Sequence, residues 1–386
     1  MDALADRLAG ELARLERATL LRRRRVLDSA QGACVREAGS ACANFSSNDY
    51  LGLANDPRLR AAAHAAIDAY GVGAGASPLV SGNLRAHEVA EERFARFVGL
   101  PRALLFGSGY AANLGILTSL AGPDGEIFSD RLNHACLIDG ARLSRAKVTP
   151  YAHVDLGDLR AKLAASAAAV RIVASDAVFS MDGDVAPVPG LLALCEEFDA
   201  WLVLDDAHGI GVLGREGRGT LSHFALASPR IVYMATLGKA LGGHGAFACG
   251  SERVVDWLIQ RARTYVYSTA LPPMCAAVAV AAVDALEGSA SPLPALRANV
   301  ERFRAACARQ EVAVEPSFTA IQPIVTGDPE STLRAAALLR QEGFLVGAIR
   351  PPTVPEGTSR LRISISAAHD PAEVESLAGA LARAVR

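Results

Sequence analysis

The sequence predicts an α/β fold with a mostly parallel central sheet, helices on both of its faces, and a smaller C-terminal α/β domain. Between residues 45 and 285, short continuous apolar runs alternate with amphipathic helical segments, a pattern typical of strands that are buried on both faces. From about residue 290 the order of the predicted elements changes. The length of 386 residues suits two domains. We place an N-terminal helical arm at 1–44, a large domain at 45–285 and a small domain at 286–386.

Nine apolar runs are predicted to be strands. In the large domain they are Ala103–Phe106, Glu126–Phe128, Arg171–Ala174, Trp201–Leu204, Ile231–Met234 and Ala246–Cys249. In the small domain they are Ala320–Val325, Phe344–Gly347 and Leu361–Ile365. The pair Asp56-Pro57 has the N-cap and first-turn residues that begin a helix, which we extend to about Tyr70.

Composition argues against several classes of function. A net charge of −2 gives no electrostatic basis for binding nucleic acid or an acidic membrane, and the only basic cluster, Arg22–Arg25, is short. Seven scattered cysteines form no Cys-x-x-Cys pair, which predicts reduced thiols, no metal site and a cytoplasmic location. The segment Thr264–Val283 is uncharged, but Pro272-Pro273 interrupts it. We therefore predict a buried helix near these prolines and no membrane span.

Polar turns follow four of the predicted strands. They are Gly107–Tyr110, Ser180–Gly183, Asp205–His208 and Thr236–Lys239. Ligands of open parallel sheets bind beyond the carboxyl ends of the strands. The sequence therefore predicts one shared site at this edge of the large sheet.

Lys239 is the candidate nucleophile of this site. It is one of three lysines, and it lies in a glycine-flanked turn after an apolar strand. An amine can lose its proton and attack a carbonyl, whereas arginine cannot. If the partner were pyridoxal phosphate (PLP), a carboxylate would be needed at the pyridine nitrogen, together with phosphate donors and a planar group over the ring. Asp205, the Gly109–Tyr110 amides with the Thr236 hydroxyl, and His134 could supply these groups.

Each of these features alone also has a purely structural explanation. An aspartate at a strand end is often a helix cap, and a single histidine is more often a structural hydrogen-bonding group. The glycine-rich loop Gly71–Gly75 lacks the spacing of a dinucleotide fingerprint, and Gly238-Lys239 lacks the rest of a P-loop. A nucleotide-binding oxidoreductase remains an alternative, suggested by the parallel sheet and the glycine loops.

Five motifs resemble those of the α-oxoamine synthases, a subgroup of the fold-type-I PLP enzymes. They are Asn44–Gly52, Ser129–His134, Val178–Asp184, Leu204–Gly209 and Thr236–Ala240. The resemblance extends from about Leu21 to His369. It implies PLP as the cofactor, a homodimer with the active site at its interface, and a decarboxylating condensation of an amino acid with an acyl thioester. The segment Ala348–Pro355 favours the members that use L-alanine and a pimeloyl thioester, carried by an acyl carrier protein or coenzyme A, in biotin biosynthesis. Sister synthases that use glycine or serine remain an alternative.

The resemblance also implies roles for individual residues. Lys239 would hold the cofactor as a Schiff base, Asp205 would bind the pyridine nitrogen, and His208 the phenolic oxygen. His134 would stack on the ring. The implied catalytic residues are Lys239, His134, Asp205 and His208. The implied cofactor-binding residues are Gly109, Tyr110, Ser180, Asp205, His208, Thr236 and Lys239.

For the substrates, the resemblance implies that Arg350 binds the amino-acid carboxylate, with Thr353 nearby, and that Arg22 binds the acyl substrate. It also implies that His134 contributes to substrate binding. Because Arg22 begins a run of four arginines, the arginine that contacts the substrate stays open. One departure is Asp176, which stands where relatives often carry Glu, and its role is left unassigned. A catalytically silent binding subunit is a further alternative, against which the joint presence of Lys239, Asp205 and His208 argues.

Overall fold

The computed structural model describes residues 2–385. Its strands are β1 (Cys34–Glu37), β2 (Ser40–Phe45), β3 (Arg102–Phe106), β4 (Gly125–Asp130), β5 (Lys147–Tyr151), β6 (Val170–Asp176), β7 (Trp201–Asp205), β8 (Ile231–Thr236), β9 (Ala246–Gly250), β10 (Ile321–Gly327), β11 (Phe344–Ile349) and β12 (Ser359–Ser364). Its α-helices are α1 (Ala3–Arg17), α2 (Pro57–Tyr70), α3 (Arg85–Val98), α4 (Gly109–Leu120), α5 (Ala135–Leu143), α6 (Leu156–Ala164), α7 (Val188–Glu197), α8 (Thr220–His223), α9 (Glu252–Arg261), α10 (Arg263–Val266), α11 (Pro273–Glu287), α12 (Leu293–Arg309), α13 (Pro329–Gln341) and α14 (Pro371–Ala384). A π-helical turn spans Pro78–Gly82 and a 3₁₀ turn spans Arg215–Gly217.

The chain divides into two compact units. The larger unit comprises Asn48–Ser180 and Asp184–Pro294. The smaller unit comprises Met181–Gly183 and the described residues of Met1–Ser47 and Ala295–Arg386. The N-terminal segment therefore belongs to the same unit as the C-terminal one.

The larger unit contains a seven-stranded sheet in the order β3-β9-β8-β7-β6-β4-β5. The neighbours from β5 to β8 pair in parallel, and β9 runs antiparallel to both β8 and β3. The predicted mostly parallel α/β sheet is confirmed. The direction of β9 follows from its connection, because residues 237–245 are too few for the crossover that a parallel neighbour needs.

Both faces of this sheet are buried, as the continuous apolar runs predicted. On one face, Ile116 and Leu117 of α4 belong to the same buried cluster as Val203 and Val232 of the central strands. On the other, Phe94 of α3 stacks on Phe247 of β9 with ring centroids 4.3 Å apart. Full burial of such side chains stabilises the fold by about 1.5–3 kcal/mol each. This packing fixes α4 against the sheet, so that its first residues lie beside the carboxyl ends of β7 and β8.

The smaller unit contains a five-stranded sheet in the order β1-β2-β11-β12-β10. Its inner neighbours β2 and β11 pair in parallel, and the other pairs are antiparallel. The three strands predicted for the C-terminal region are present. The N-terminal segment is helical at α1 but also supplies β1 and β2 to this sheet. The His369 ring contacts this N-terminal region, because it stacks on Phe45 at 3.9 Å and its Nε2 lies 3.0 Å from the Asn44 carbonyl oxygen.

Helix α11 begins at Pro273, as predicted from the two prolines. Within residues 2–385, none of the helices has the length and apolar content needed to cross a membrane.

A charged cluster holds the loop after β6. His153 Nδ1 lies 3.0 Å from Asp130 Oδ1, and its Nε2 lies 3.0 Å from Asp184 Oδ2. The Phe179 N–H donates to the Asp184 carbonyl at 3.0 Å, and the His153 ring packs edge-on against Phe179. Burial lowers the pKa of His153, but the hydrogen bonds and charges of the two aspartates outweigh it and raise that pKa from 6.5 to about 10. The histidinium therefore stabilises the folded loop.

We expect His153→Gln to lower the free energy of unfolding by about 2 kcal/mol at neutral pH, because Asp130 stays buried without its cation. The pKa of His153 is raised in the folded state, so its contribution is complete below 6.5 and is lost as the pH rises through about 10. Urea unfolding across this range measures the effect. The exposed His64, changed to Gln, is the matched control. A difference from wild type that does not shrink toward alkaline pH would contradict the charged cluster.

Candidate active site

One cavity of the larger unit, of about 160 Å³, lies at the carboxyl ends of the parallel strands. Its lining residues are Gly109, Tyr110, His134, Cys136, Asp176, Asp205, Ala207, His208, Met234, Thr236 and Lys239. Seven of the residues predicted for the site are thus brought together: Gly109, Tyr110, His134, Asp205, His208, Thr236 and Lys239. Three of the four polar turns predicted to share this edge contribute to the cavity, whereas Ser180–Gly183 supplies none of its lining residues.

Lys239 lies in a closed turn between β8 and β9. The Gly242 N–H donates to the Lys239 carbonyl at 2.9 Å, and the Gly243 N–H donates to the Leu237 carbonyl at 2.8 Å. Gly242 has a φ of +64°, and a Cβ there would lie 2.6 Å from backbone atoms of Leu53 and Ala54. Only glycine fits that position without strain. The turn therefore fixes the backbone from which the lysine side chain extends.

His208 connects Lys239 to Tyr50. Lys239 Nζ lies 2.7 Å from His208 Nε2, and the Tyr50 hydroxyl lies 2.8 Å from His208 Nδ1. The Tyr50 hydroxyl donates its own proton to Asn48 Oδ1 at 3.0 Å. Its oxygen therefore accepts from His208 Nδ1–H, which leaves Nε2 as a hydrogen-bond acceptor facing the amine of Lys239.

Asp205 ends β7 and is 3% exposed. Its Oδ1 accepts from the Ala207 N–H at 2.9 Å, and its Oδ2 accepts from Asn113 Nδ2 at 2.7 Å. These two donors point at different oxygens and fix the plane of the carboxylate. Donors of this kind favour the charged form of a buried carboxylate.

His134 caps helix α5 and lines the cavity. Its Nδ1 accepts from the Cys136 N–H at 3.3 Å, and its own N–H donates to Asp176 Oδ2 at 2.6 Å. Burial lowers the pKa of His134; the charge of Asp205 opposes this shift, and the charge of Lys239 reinforces it. The ring is therefore held as a neutral imidazole with its proton on Nε2.

The N-terminus of α4 supplies backbone donors. Ser108 is the N-cap, and its hydroxyl oxygen accepts from the Ala111 N–H at 3.1 Å. An added Cβ at Gly109 would lie 3.7 Å from the Thr236 side chain, which places the helix start beside the end of β8. The first N–H groups of a helix attract anions. This side of the cavity thus suits a phosphate.

The remaining predicted residues lie elsewhere. Ser180 is half-buried in the loop after β6 and is not among the residues that line the cavity. Arg22, Arg350 and Thr353 belong to the smaller unit, where Arg22 Nη2 donates to Thr353 Oγ1 at 3.0 Å and Arg350 donates to the Thr19 carbonyl. Burial lowers the pKa of Arg350, and the charge of Arg22 adds to the effect. Two guanidinium groups are therefore close enough to attract one anion between them.

Comparison with known proteins identifies the family of this chain. Residues 40–381 match the family described as Aminotransferase class I and II. The chain is 52% identical over 380 residues to the 8-amino-7-oxononanoate synthase of Methylobacillus flagellatus, covering 98% of this chain and 96% of that protein. It is also 52% identical to the synthase of Thiobacillus denitrificans, with 97% of each chain covered. The chain belongs to the 8-amino-7-oxononanoate synthase family.

Solved structures of related enzymes share the fold. A structure of SPT with a PLP internal aldimine has a TM-score of 0.93 at 26% identity, covering 100% of this chain and 98% of that one. The serine palmitoyltransferase of Sphingomonas wittichii has a TM-score of 0.92 at 28% identity, with the same coverage. The 8-amino-7-oxononanoate synthase of Francisella tularensis has a TM-score of 0.77 at 29% identity, covering 89% and 97%. The predicted fold type is therefore confirmed.

Sequence reasoning did not assign three polar residues of this site. Asn113 binds Asp205, Cys136 lines the cavity, and Asp176 binds the His134 backbone. Asn113 had a detectable signal: it is a polar residue one helical turn after Gly109, in a helix whose other polar side chains, apart from Tyr110, are Thr118 and Ser119 in its last turn. The sequence marks Asp176 as a departure from relatives, but the contact of its carboxylate with the His134 backbone is visible only in the folded chain.

Proposed function

We propose that this member of the family catalyses the decarboxylating condensation of L-alanine with a pimeloyl thioester. The products are 8-amino-7-oxononanoate, CO₂ and the free carrier thiol, and the reaction belongs to biotin biosynthesis. The observation that carries the proposal is the cavity in which the amine of Lys239 and the buried carboxylate of Asp205 meet, with His208 against the amine.

The residues of this cavity fit PLP. Lys239 would hold its aldehyde carbon covalently, Asp205 would bind the pyridine nitrogen, and the first amides of α4 with the Thr236 hydroxyl would bind its phosphate. His134 would lie against the ring, and Ser180 would approach the cofactor from the loop after β6. When bound, PLP supplies an electron sink for negative charge at the α-carbon of the amino acid.

The side chains of the chain perform the proton chemistry. We propose that Lys239 Nζ takes the α-proton of the amino acid, because a neutral amine is a base and this nitrogen lies in the cavity where the amino acid would bind. His208 Nε2, 2.7 Å from that nitrogen, accepts a hydrogen bond from the amine and orients its lone pair. Asp205, held by Asn113 and Ala207, keeps a fixed negative charge in the cavity wall. The negative charge of Asp205 stabilises a transition state in which the group next to this carboxylate is positively charged.

We propose that the arginine pair of the smaller unit binds the two substrates. Arg350, with Thr353, would bind the carboxylate of L-alanine, and Arg22 the acyl substrate. Arginine suits a carboxylate because its planar group can donate two parallel hydrogen bonds. The short basic run after Arg22 leaves the adjacent arginines as further candidates.

We further propose that the protein acts as a homodimer with the active site at its interface, and that it works in the cytoplasm. The support is the family to which the chain belongs and the odd, scattered set of seven cysteines. Light scattering measures the dimer. Mixing the Lys239→Ala variant with the Arg350→Ala variant, at an L-alanine concentration far below the KM of the second, should recover part of the activity if Lys239 and Arg350 of one site come from different subunits.

A turnover assay tests the proposed reaction. The purified protein with PLP is supplied with pimeloyl thioester and, in turn, alanine, glycine and serine, and the product is identified by mass spectrometry. L-Alanine should give the fastest thiol release. Faster release with glycine or serine would instead indicate a sister synthase. A yellow protein whose absorbance shifts with L-alanine, after free PLP has been removed, would exclude the oxidoreductase alternative.

We expect Arg350→Ala to raise the KM for L-alanine by about 10–100-fold, because a hydrogen bond to a charged group contributes about 1.5–3 kcal/mol. The KM for the thioester should change far less. Arg22→Ala should produce the opposite pattern, and Arg309→Ala is the control because Arg309 is an exposed residue at the end of α12. Steady-state kinetics with each substrate varied in turn measures the split. Equal changes in both KM values would contradict a carboxylate-binding role for Arg350.

A further inference from the structure

Two carboxyl groups lie side by side in the wall of the cavity. Asp176 is the last residue of β6 and Asp205 the last residue of β7, and the two are direct partners in the parallel register. Both side chains are 3% exposed, and both line the cavity. Charging both of these neighbouring carboxyl groups is unfavourable, because the like charges repel and neither group is well hydrated in a buried site.

The hydrogen bonds make this pair unequal. Asp205 accepts at Oδ1 from the Ala207 backbone, and at Oδ2 from the Asn113 side chain and, at 3.9 Å, from the Cys136 thiol. Asp176 accepts at Oδ2 from the His134 backbone. Asn113 Oδ1 is buried without a hydrogen-bond partner among the described residues, so the amide orientation is set by what its Nδ2 binds. Three hydrogen-bond donors therefore face Asp205 and one faces Asp176, so a proton shared by the pair is better placed on Asp176.

The surrounding charges act in the same direction. Burial raises the pKa of Asp176 well above its ordinary value, and the charge of Asp205 raises it further. The His134 N–H and the charge of Lys239 lower it, and the charge of Asp130 raises it again. These groups come from β4, the turn before α5, β7 and the Lys239 turn. The Cys136 thiol of α5 and the Tyr151 hydroxyl of β5 also interact electrostatically with Asp176.

We propose that Asp176 is a positioning residue that carries its proton at neutral pH, with Asn113 keeping the negative charge of the pair on Asp205. One oxygen of the neutral carboxyl holds the His134 backbone, and its O–H is a hydrogen-bond donor on the cavity wall. A single negative charge then faces the bound cofactor. This proposal depends on the PLP site of the proposed function, but its main measurement requires no turnover.

Infrared difference spectroscopy of the cofactor-free protein tests the protonation directly. The wild-type spectrum at neutral pH, minus that of Asp176→Asn, should contain the carbonyl stretch of a protonated carboxylic acid. Asp124→Asn is the matched control, because Asp124 is an exposed carboxyl at the opposite end of β4, and its difference spectrum should lack that band. Absence of the band in the Asp176 difference would overturn the proposal, whatever the turnover assay shows.

Cofactor affinity and pH-dependent stability provide the second test. Asp176→Asn keeps the shape and the lack of charge of a protonated carboxyl group, so its Kd for PLP should stay within about threefold of wild type. Asp176→Ala removes the group that holds the His134 backbone and should weaken PLP binding about tenfold. Because the folded-state pKa of Asp176 is raised, wild type should lose stability as the pH rises through it, and Asp176→Asn should not. Equal loss of PLP affinity in both variants would show that a charge is required and would contradict the proposal.

Discussion

Lys239→Ala should abolish covalent attachment of PLP and lower α-proton exchange by about 10³-fold or more. The reason is that general-base catalysis alone contributes about 10²–10⁴-fold, and the same nitrogen is proposed to hold the cofactor. The turn closed by Gly242 and Gly243 should persist, since it is held by backbone hydrogen bonds. Borohydride reduction followed by peptide mass spectrometry measures attachment, and deuterium exchange at the α-carbon of alanine measures proton removal.

The chain offers an unusually clean control for this experiment, because it has two other lysines. Lys147 pairs with Glu126 at 2.8 Å, and Lys162 binds both Asp158 and the Pro150 carbonyl. Lys147→Ala and Lys162→Ala should therefore keep attachment and exchange at wild-type levels. Attachment at either of these lysines in the Lys239→Ala protein would remove Lys239 from its proposed role.

The large sheet could be predicted because its signal is local. Strands that are buried on both faces must be apolar throughout, and six such runs are visible in the sequence. The direction of β9 is not contained in its composition, but the short connection 237–245 indicates it. That β1 and β2 belong to the five-stranded sheet of the smaller unit was harder to predict. Strand β2 pairs with β11 about 300 residues later in the chain, and no local sequence pattern indicates that pairing.

The residues of the candidate site were likewise predictable only where the signal is local in the sequence. Residues that directly follow strands were predictable, because the carboxyl ends of parallel strands converge on one edge. Asn113 was missed because it reaches the edge from a helix, and its partner Asp205 is 92 positions away. Asp176 is itself a strand-end residue. Its importance depends on the register that places it opposite Asp205, and register is set by packing of the whole sheet.

Asp205→Asn should leave a folded protein that binds PLP but loses α-proton exchange by about two to three orders of magnitude, or about 3–5 kcal/mol. The structure explains why the amide is a poor substitute. The Ala207 N–H needs an acceptor at Oδ1, so the new amide oxygen must face Ala207. Its NH₂ group then faces Asn113, whose amide must turn to offer Oδ1 and so gives up the bonds that its Nδ2 makes, and no negative charge remains where the carboxylate stood. Absorbance titration with PLP and deuterium exchange with alanine measure the two effects.

Asp206→Asn is the matched control, since Asp206 is the next residue and is equally buried but binds Thr220 and Tyr233. It should lower stability while leaving the exchange reaction much closer to wild type. The double variant Asp205→Asn with Asn113→Asp separates hydrogen bonding from charge, because it restores an acceptor opposite the new amide but moves the carboxylate onto α4. We expect it to recover stability lost by Asp205→Asn but not the exchange rate. Recovery of exchange would mean that a negative charge anywhere in this wall suffices, and the specific position of Asp205 would lose its proposed role.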